Sequence, residues 1–254
     1  MMSETRATLD ETKILSGPTP ASAAARIIAF EAENLEVYAG YFLILIENIL
    51  TPNECNQLLS LVQPADNAPW PPAVVTAYDG SQRVDQSSRN CGRIIYDSQQ
   101  LASRLLERIL PHLPPGIITL DNAPDITGQY PVLRKEKWKV SRLAENLRFL
   151  KYGPGNYFRP HADGHFIDDK AGEKSYLTIH LYLNGGGEDE ATRVEGGATR
   201  FAVDFEDPRA PKLDVNPKAG SLVVFQQRDL YHEGCEVTKG IKYTVRSDII
   251  YSKV

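Results

Sequence analysis

The chain has little cysteine, and what it has is spaced for neither a disulfide scaffold nor a zinc knuckle. Cys55, Cys91 and Cys235 form an odd set with no CxxC pair, so free thiols in a reducing compartment are expected. The chain also lacks any block of lysine or arginine. With a net charge of -5 it carries no electrostatic footprint for nucleic acid or an anionic membrane, and neither partner is expected. Residues 1–19 are polar and charged. A signal-peptide core or a membrane span is therefore not expected there, and the cytoplasm is the default location. What is present, 254 residues with 42% hydrophobic content, suffices for a sizeable core.

Residues 1–22, rich in Ser, Thr, Pro and charge, read as a mobile N-terminal tail or arm, and residues 23–254 as a single domain. A short helix is expected over 23–32 and a buried strand over 41–46. Thr51-Pro-Asn-Glu54 forms a capping box ahead of a helix whose apolar face carries Leu58, Leu59 and Val62. Residues 64–89 turn to Pro, Asp, Gln, Ser and Gly and read as a long loop with at most one short strand, a candidate lid. A strand over 93–96 follows. Ser98 then opens an amphipathic helix through Leu101, Leu105, Leu106 and Ile109 that ends at Pro111. A second loop is expected over 114–132, and Trp138 is expected to pack within a solvated basic stretch.

From Leu147 onward the apolar period becomes two. Tyr176, Thr178, His180, Tyr182 and Asn184 share one face of a strand, while Leu177, Ile179, Leu181 and Leu183 share the other. Lys242, Thr244, Arg246 and Asp248 alternate in the same way with Tyr243, Val245, Ser247 and Ile249. Short strands with turn signals between them suggest a sandwich or small barrel: an all-β core with helices (α+β), with helical support over 23–145 and a β-core over 146–254. If the strands close into a double-sheet jelly roll, the polar faces line its mouth and the apolar faces meet the helices. A polar face toward water is the other reading of the same alternation.

His161-Ala-Asp163 puts an imidazole and a carboxylate on one side of an extended segment, and His232 follows a later strand–turn unit. Two imidazole nitrogens and one carboxylate oxygen on one face of a metal leave the opposite face for exogenous ligands, the arrangement used by non-haem Fe(II) oxygenases. The spacing alone is short enough to arise by chance, so its surroundings carry the weight.

Those surroundings are Leu147-Arg-Phe-Leu-Lys-Tyr-Gly-Pro-Gly-Asn-Tyr-Phe-Arg-Pro-His-Ala-Asp163, then Gly196-Gly-Ala-Thr-Arg-Phe201, then His232-Glu-Gly-Cys-Glu-Val-Thr-Lys-Gly-Ile-Lys242. In this order they resemble the catalytic domain of the prolyl 4-hydroxylase-like branch of the Fe(II)/2-oxoglutarate-dependent dioxygenases, with the first half of the chain matching more loosely. The resemblance implies a double-stranded β-helix, a cupin-like jelly roll, flanked by N-terminal helices. It also implies Fe(II) held by His161, Asp163 and His232, with 2-oxoglutarate as cosubstrate and O2 as oxidant.

The distal carboxylate of 2-oxoglutarate needs a buried cation. Lys242 matches the position where this branch carries its basic residue, and Arg246 faces the same way at a spacing used by related dioxygenases. The sequence does not choose between them, and Asp248 offers Arg246 an ion pair instead. Tyr182 matches a tyrosine that contacts 2-oxoglutarate in similar enzymes, and Tyr152 is a second candidate. His180 is expected to touch substrate or stand behind the ligands, His165 to be a loop residue and His112 to have no chemical role. Arg89, Asn90, Arg142, Asn146 and Tyr157 are candidate substrate contacts.

The implied reaction oxidises a C–H bond with release of succinate and CO2; hydroxylation is the default outcome, and desaturation or ring closure are variants of it. With Asp163 present no coordination site is vacated for a halide, so halogenation is not expected. A small molecule, an amino acid or biosynthetic intermediate, is the first choice of substrate. A cytosolic protein hydroxylase and a non-catalytic cupin-like binding protein are the alternatives. The segment 204–215 departs from a tight hairpin and is expected to border the pocket.

Overall fold

A strand such as Leu222-Val-Val-Phe-Gln226, buried at every position, must be covered on both faces. Two antiparallel sheets and a helical layer achieve this. The computed structural model describes residues 10–64, 68–76, 80–186 and 193–254. In the first half lie β1 (Ala24–Ile27), β2 (Leu43–Glu47), α1 (Pro52–Leu61), β3 (Val75–Thr76), β4 (Gln82–Arg83), β5 (Arg89–Asn90), β6 (Gly92–Asp97) and α2 (Gln99–Ile109). Then come α3 (Pro115–Ile118), β7 (Thr119–Asp121), α4 (Pro124–Thr127), α5 (Gln129–Leu133) and β8 (Lys137–Leu143). The second half holds β9 (Asn146–Tyr152), β10 (Tyr157–His161), β11 (Ile167–Asp168), β12 (Glu173–Tyr182), β13 (Glu195–Gly196) and β14 (Thr199–Ala202). It closes with β15 (Lys212–Val215), β16 (Leu222–Gln226), β17 (His232–Gly234), β18 (Val237–Lys239) and β19 (Lys242–Lys253).

The large sheet runs β1-β2-β16-β12-β19-β8-β7; β9 pairs with the other half of β19, β6 lies beyond β9, and β11 sits on β12. The small sheet runs β15-β14-β17-β10-β5. Curled antiparallel sheets in this order make the jelly roll of a double-stranded β-helix. The α+β expectation is met, with α1 and α2 covering one outer face. Leu58 of α1 and Leu101, Leu105 and Ile109 of α2 bury against Ile179, Leu181, Val224 and Val245. A smaller cluster fills one end between the sheets, with Tyr182, Phe201, Val223 and Phe225 at its centre. Because β2 and β8 complete the large sheet, the line at 145/146 does not divide two layers.

Local signals explain most elements. Thr51 Oγ1 accepts from Glu54 N, and the Glu54 carboxylate accepts from Thr51 N, which closes the expected capping box. Ser98 caps α2 in the same way. Residues 10–22 of the N-terminal stretch form an arm on α2: Ile14 and Leu15 are buried, and Arg104 donates to Ile14 O at 2.6 Å. Residues 1–9 lie outside the described residues.

Three expectations change. The helix over 23–32 is instead β1 followed by a 3-10 turn at Phe30–Glu33, because residues 24–27 find a backbone ladder on β2 that outweighs alanine's helix preference. The two expected loops are partly ordered into elements: 64–89 holds the paired strands β3 and β4, and 114–132 contains α3, β7, α4 and the start of α5. Tyr176 leaves the polar face of β12: the register slips between Ser175 and Leu177, and this bulge turns the ring toward Trp138 and Tyr251 in the outer core.

Candidate metal centre

β10 and β17 pair so that His161 and His232 are direct cross-strand partners. That register brings together residues far apart in the chain, and Asp163 follows just beyond the end of β10. One ligand atom from each of His161, Asp163 and His232 lies within 4.8 Å of the others. His161 Nε2 and His232 Nε2 each stand 3.9 Å from an Asp163 carboxylate oxygen. The other ring nitrogens are engaged: His161 Nδ1 with Arg159 O at 2.8 Å and His232 Nδ1 with Leu230 O at 3.2 Å. A carbonyl oxygen only accepts, so each neutral ring carries its proton on Nδ1 and turns the Nε2 lone pair toward the centre. Two oriented imidazoles and a carboxylate are the donor set that suits Fe(II), with positions left for exogenous oxygen ligands.

Electrostatics favour the ligand forms. Burial alone would raise the Asp163 carboxyl, but Arg246 and the two histidines hold it well below the usual carboxylate range. Burial, reinforced by His232, pushes His161 down to about 3, and burial lowers His232 as well. Deprotonated carboxylate and neutral imidazole are the states a metal requires. Thr178 Oγ1 donates to Asp163 Oδ2 at 2.6 Å. Arg246 Nη2 bridges Asp163 Oδ1 at 3.0 Å and Asp248 Oδ1 at 3.1 Å. Asp248 also meets Arg148 at 2.8 Å and accepts from Gln227 Nε2 at 2.9 Å. The Phe158 ring stacks on His161, centroids 3.6 Å apart.

The centre opens into a cavity of about 830 Å³. Lys242 enters it fully buried; its Nζ donates to Gly197 O at 2.6 Å and lies 5.1 and 5.6 Å from the Tyr152 and Tyr182 ring centroids. Among the described residues it has no carboxylate partner, and burial pushes its ammonium down to about 8. Gly197, at φ +68°, has to be glycine: a Cβ there would stand 2.9 Å from Val237 and 3.1 Å from the Lys242 stem.

The sequence-derived candidates divide. Lys242, Arg246, Tyr152, His180 and Arg89 line the cavity. Tyr182 stands behind the wall and donates to Thr199 Oγ1 at 2.7 Å. Asn90 reaches Gly155 O, Arg142 pairs with Glu173, Tyr157 donates to Gln86 O, and Asn146 is exposed at the start of β9; none of these four lines the cavity. Residues 204–215 lie away from it too, while His165 lines it and contacts Gln227. Sequence reasoning missed Phe158, Arg93, Arg148 and Thr199 on the wall. For Arg148 the signal was there: it alternates with Leu150 and Tyr152 on one face of β9. Arg93 comes to that face only through the β6–β9 register.

Fold and site together define a jelly-roll protein with a two-histidine, one-carboxylate centre, the class of the non-haem iron oxygenases. Residues 147–247 match the model of the 2OG-Fe(II) oxygenase superfamily. That matched segment is a 2OG-Fe(II) oxygenase domain that holds His161, Asp163, His232 and Lys242, and it implies a 2-oxoglutarate-dependent dioxygenase with Fe(II), 2-oxoglutarate and O2. No curated protein sequence matches it. Among solved structures, a Pseudomonas putida prolyl-4-hydroxylase is 18% identical with a TM-score of 0.50, covering 84% of this chain and 95% of its own. A Trichoplax adhaerens prolyl hydroxylase, in complex with a hypoxia inducible factor oxygen degradation domain peptide fragment, is 14% identical with a TM-score of 0.50. That match covers 86% of this chain and 89% of the Trichoplax chain. The fold is thus that of the prolyl hydroxylases.

Proposed function

We propose that the enzyme oxidises a C–H bond of a small molecule, with His161, Asp163 and His232 holding Fe(II) and Lys242 anchoring the distal carboxylate of 2-oxoglutarate. When bound, the metal with its cosubstrate and O2 supplies the oxidising power, and 2-oxoglutarate leaves as succinate and CO2. The observation that carries the assignment is the pair of Nδ1-anchored imidazoles beside Asp163, with a buried lysine in the same cavity that has no carboxylate partner among the described residues. Lys242 is favoured over Arg246 because Arg246 is already committed to Asp163 and Asp248.

The protein's own part is positioning. Arg159 O and Leu230 O fix the imidazole tautomers, and Thr178 and Arg246 hold the Asp163 carboxylate. Tyr152, His180 and Thr199 line the space next to Lys242 and shape it for a dicarboxylate. The cavity volume of about 830 Å³ suits a cosubstrate together with a small substrate. Three free cysteines and the absence, among the described residues, of a helix long and apolar enough to cross a membrane accord with a cytosolic location. A protein substrate is the second reading. The Trichoplax relative's peptide complex and the β3–β4 hairpin, whose Val75, Thr76, Gln82 and Arg83 rim the cavity, favour it.

The test is an anaerobic titration of metal-free protein with Fe(II) and then 2-oxoglutarate, in wild type and His161→Ala. A visible metal-to-ligand charge-transfer band in wild type that is lost in the variant supports the centre. No band with both components in excess would sink it. Succinate release in the presence of small molecules or peptides then separates the two substrate readings.

A further inference from the structure

We propose that Arg89 and Arg93 form a second anion subsite in the cavity, one that takes the carboxylate of a small organic acid substrate. This rests on the dioxygenase reading for the other occupants of the cavity.

Strand register builds the site. Arg93 on β6 is the cross-strand partner of Leu150 on β9, and Leu150 that of Thr244 on β19. In the neighbouring row Arg148 pairs with Arg246, and Arg246 with His180. Basic side chains from three strands therefore crowd one sheet face. Two of them are neutralised: Asp248 meets Arg148 and Arg246, and Asp163 meets Arg246. Lys242 is taken by the cosubstrate. 2-Oxoglutarate has two carboxylates, one for the metal and one for Lys242, so neither needs Arg89 or Arg93.

Those two arginines have no carboxylate within ion-pair distance among the described residues. Arg89 is 8% exposed. Its Nε donates to Cys91 Sγ at 3.3 Å, and its Cζ lies 4.4 Å from the centroid of Phe158, the ring that stacks on His161. Among the described residues the Arg93 side chain makes one long bond, Nη1 to Val74 O at 3.4 Å. Burial and the neighbouring Arg89, Arg148 and Arg246 all push its guanidinium down, as expected for a cation surrounded by its own kind. The other acids on the wall are spoken for: Asp85 accepts from Ser87 and Ser88, and Glu233 pairs with Arg200. A guanidinium cannot shed its proton, and an unpaired cation is costly where it is buried, as at Arg89, and less so where it is half-buried, as at Arg93. An anion supplied from outside removes that cost, and a planar carboxylate matches the guanidinium fork.

The test uses protein loaded with Fe(II) and 2-oxoglutarate and held without O2. It is titrated with matched pairs of L-amino acids and L-amino acid amides, and of aliphatic acids and their amides. Binding is read by the shift of the charge-transfer band and by calorimetry. The expected result is that an acid binds and its amide binds weaker, on the order of tenfold or more. Arg93→Gln then abolishes that preference, Arg93→Lys keeps part of it, and both leave the 2-oxoglutarate titration unchanged. The proposal is overturned if no acid binds, if acid and amide bind alike, or if the preference survives in Arg93→Gln. Inorganic phosphate binding as tightly as the best acid, with the same dependence on Arg93, would also overturn it by assigning the subsite to a different anion. Absence of the band in wild type would instead remove the dioxygenase reading, and calorimetry of the acids against metal-free protein would then decide the subsite by itself.

Discussion

The strands β12 and β19 are buried on both faces, and the two faces do opposite work. The outer face sets Leu177, Ile179, Leu181, Val245 and Ile249 in the apolar core under the helices, with the Ser247 hydroxyl satisfied by Ala144 O. The inner face sets His180, Lys242, Arg246 and Asp248 on the cavity wall with Thr178 and Thr244 between them, and His180 Nε2 and Thr244 Oγ1 are buried there without a hydrogen-bond partner among the described residues. Apolar burial stabilises a fold, whereas buried charges and unpaired polar groups cost stability, so the outer face contributes the larger share of the stability and the inner face is kept for its chemistry.

Four substitutions or conditions sharpen or break that division. His161→Ala should lower succinate formation by more than about a hundredfold through loss of metal affinity, while thermal unfolding of the metal-free protein stays within roughly 1 kcal/mol of wild type. A large loss of stability would show that the inner face supports the fold as well. Ile179→Ala, on the opposite face of the same strand, should cost about 2–5 kcal/mol in urea unfolding and leave 2-oxoglutarate affinity of the folded protein unchanged. If affinity fell with stability, the two faces would be coupled.

Lys242→Met should raise the 2-oxoglutarate dissociation constant on the order of tenfold to a hundredfold. It should leave the metal-free protein as stable or more so, since a buried ammonium is replaced by an apolar chain. The smallest effect is on pH. With its pKa pushed from 10.5 down to about 8 by burial, Lys242 loses its proton above that value, and 2-oxoglutarate binding should weaken as pH rises through it. In the ligand-free protein the sign for stability is opposite. Between about 8 and 10.5 the unfolded lysine holds a proton that the folded one has released, so this group's contribution to stability rises with pH. Calorimetric titration and urea unfolding across that range would each detect the reverse trend.

Much of the site was legible because it is written in short local patterns. His161 and Asp163 share one side of an extended segment by the period of two, and the same period put Lys242, Arg246 and Asp248 on one face of β19. The capping box at Thr51 and Glu54 was legible for the same reason, since its bonds close within one turn. Asn90, Arg142, Asn146 and Tyr157 were misjudged because residue type says nothing about which strand lies beside a side chain. Asn146 and Arg142 sit on β9 and β8, yet one ends in solvent and the other on Glu173.

Local order in the sequence by itself determined the alternation of the strands, the helix starts, the ligand types and their order along the chain. Tertiary structure decided which alternating face turned inward, that a bulge at Tyr176 would send that ring outward, and that Arg89 and Arg93 would line one cavity with no carboxylate at ion-pair distance from either among the described residues. The physical reason is that side-chain period is a property of one strand, whereas register and enclosure belong to pairs of strands and to the sheets they form.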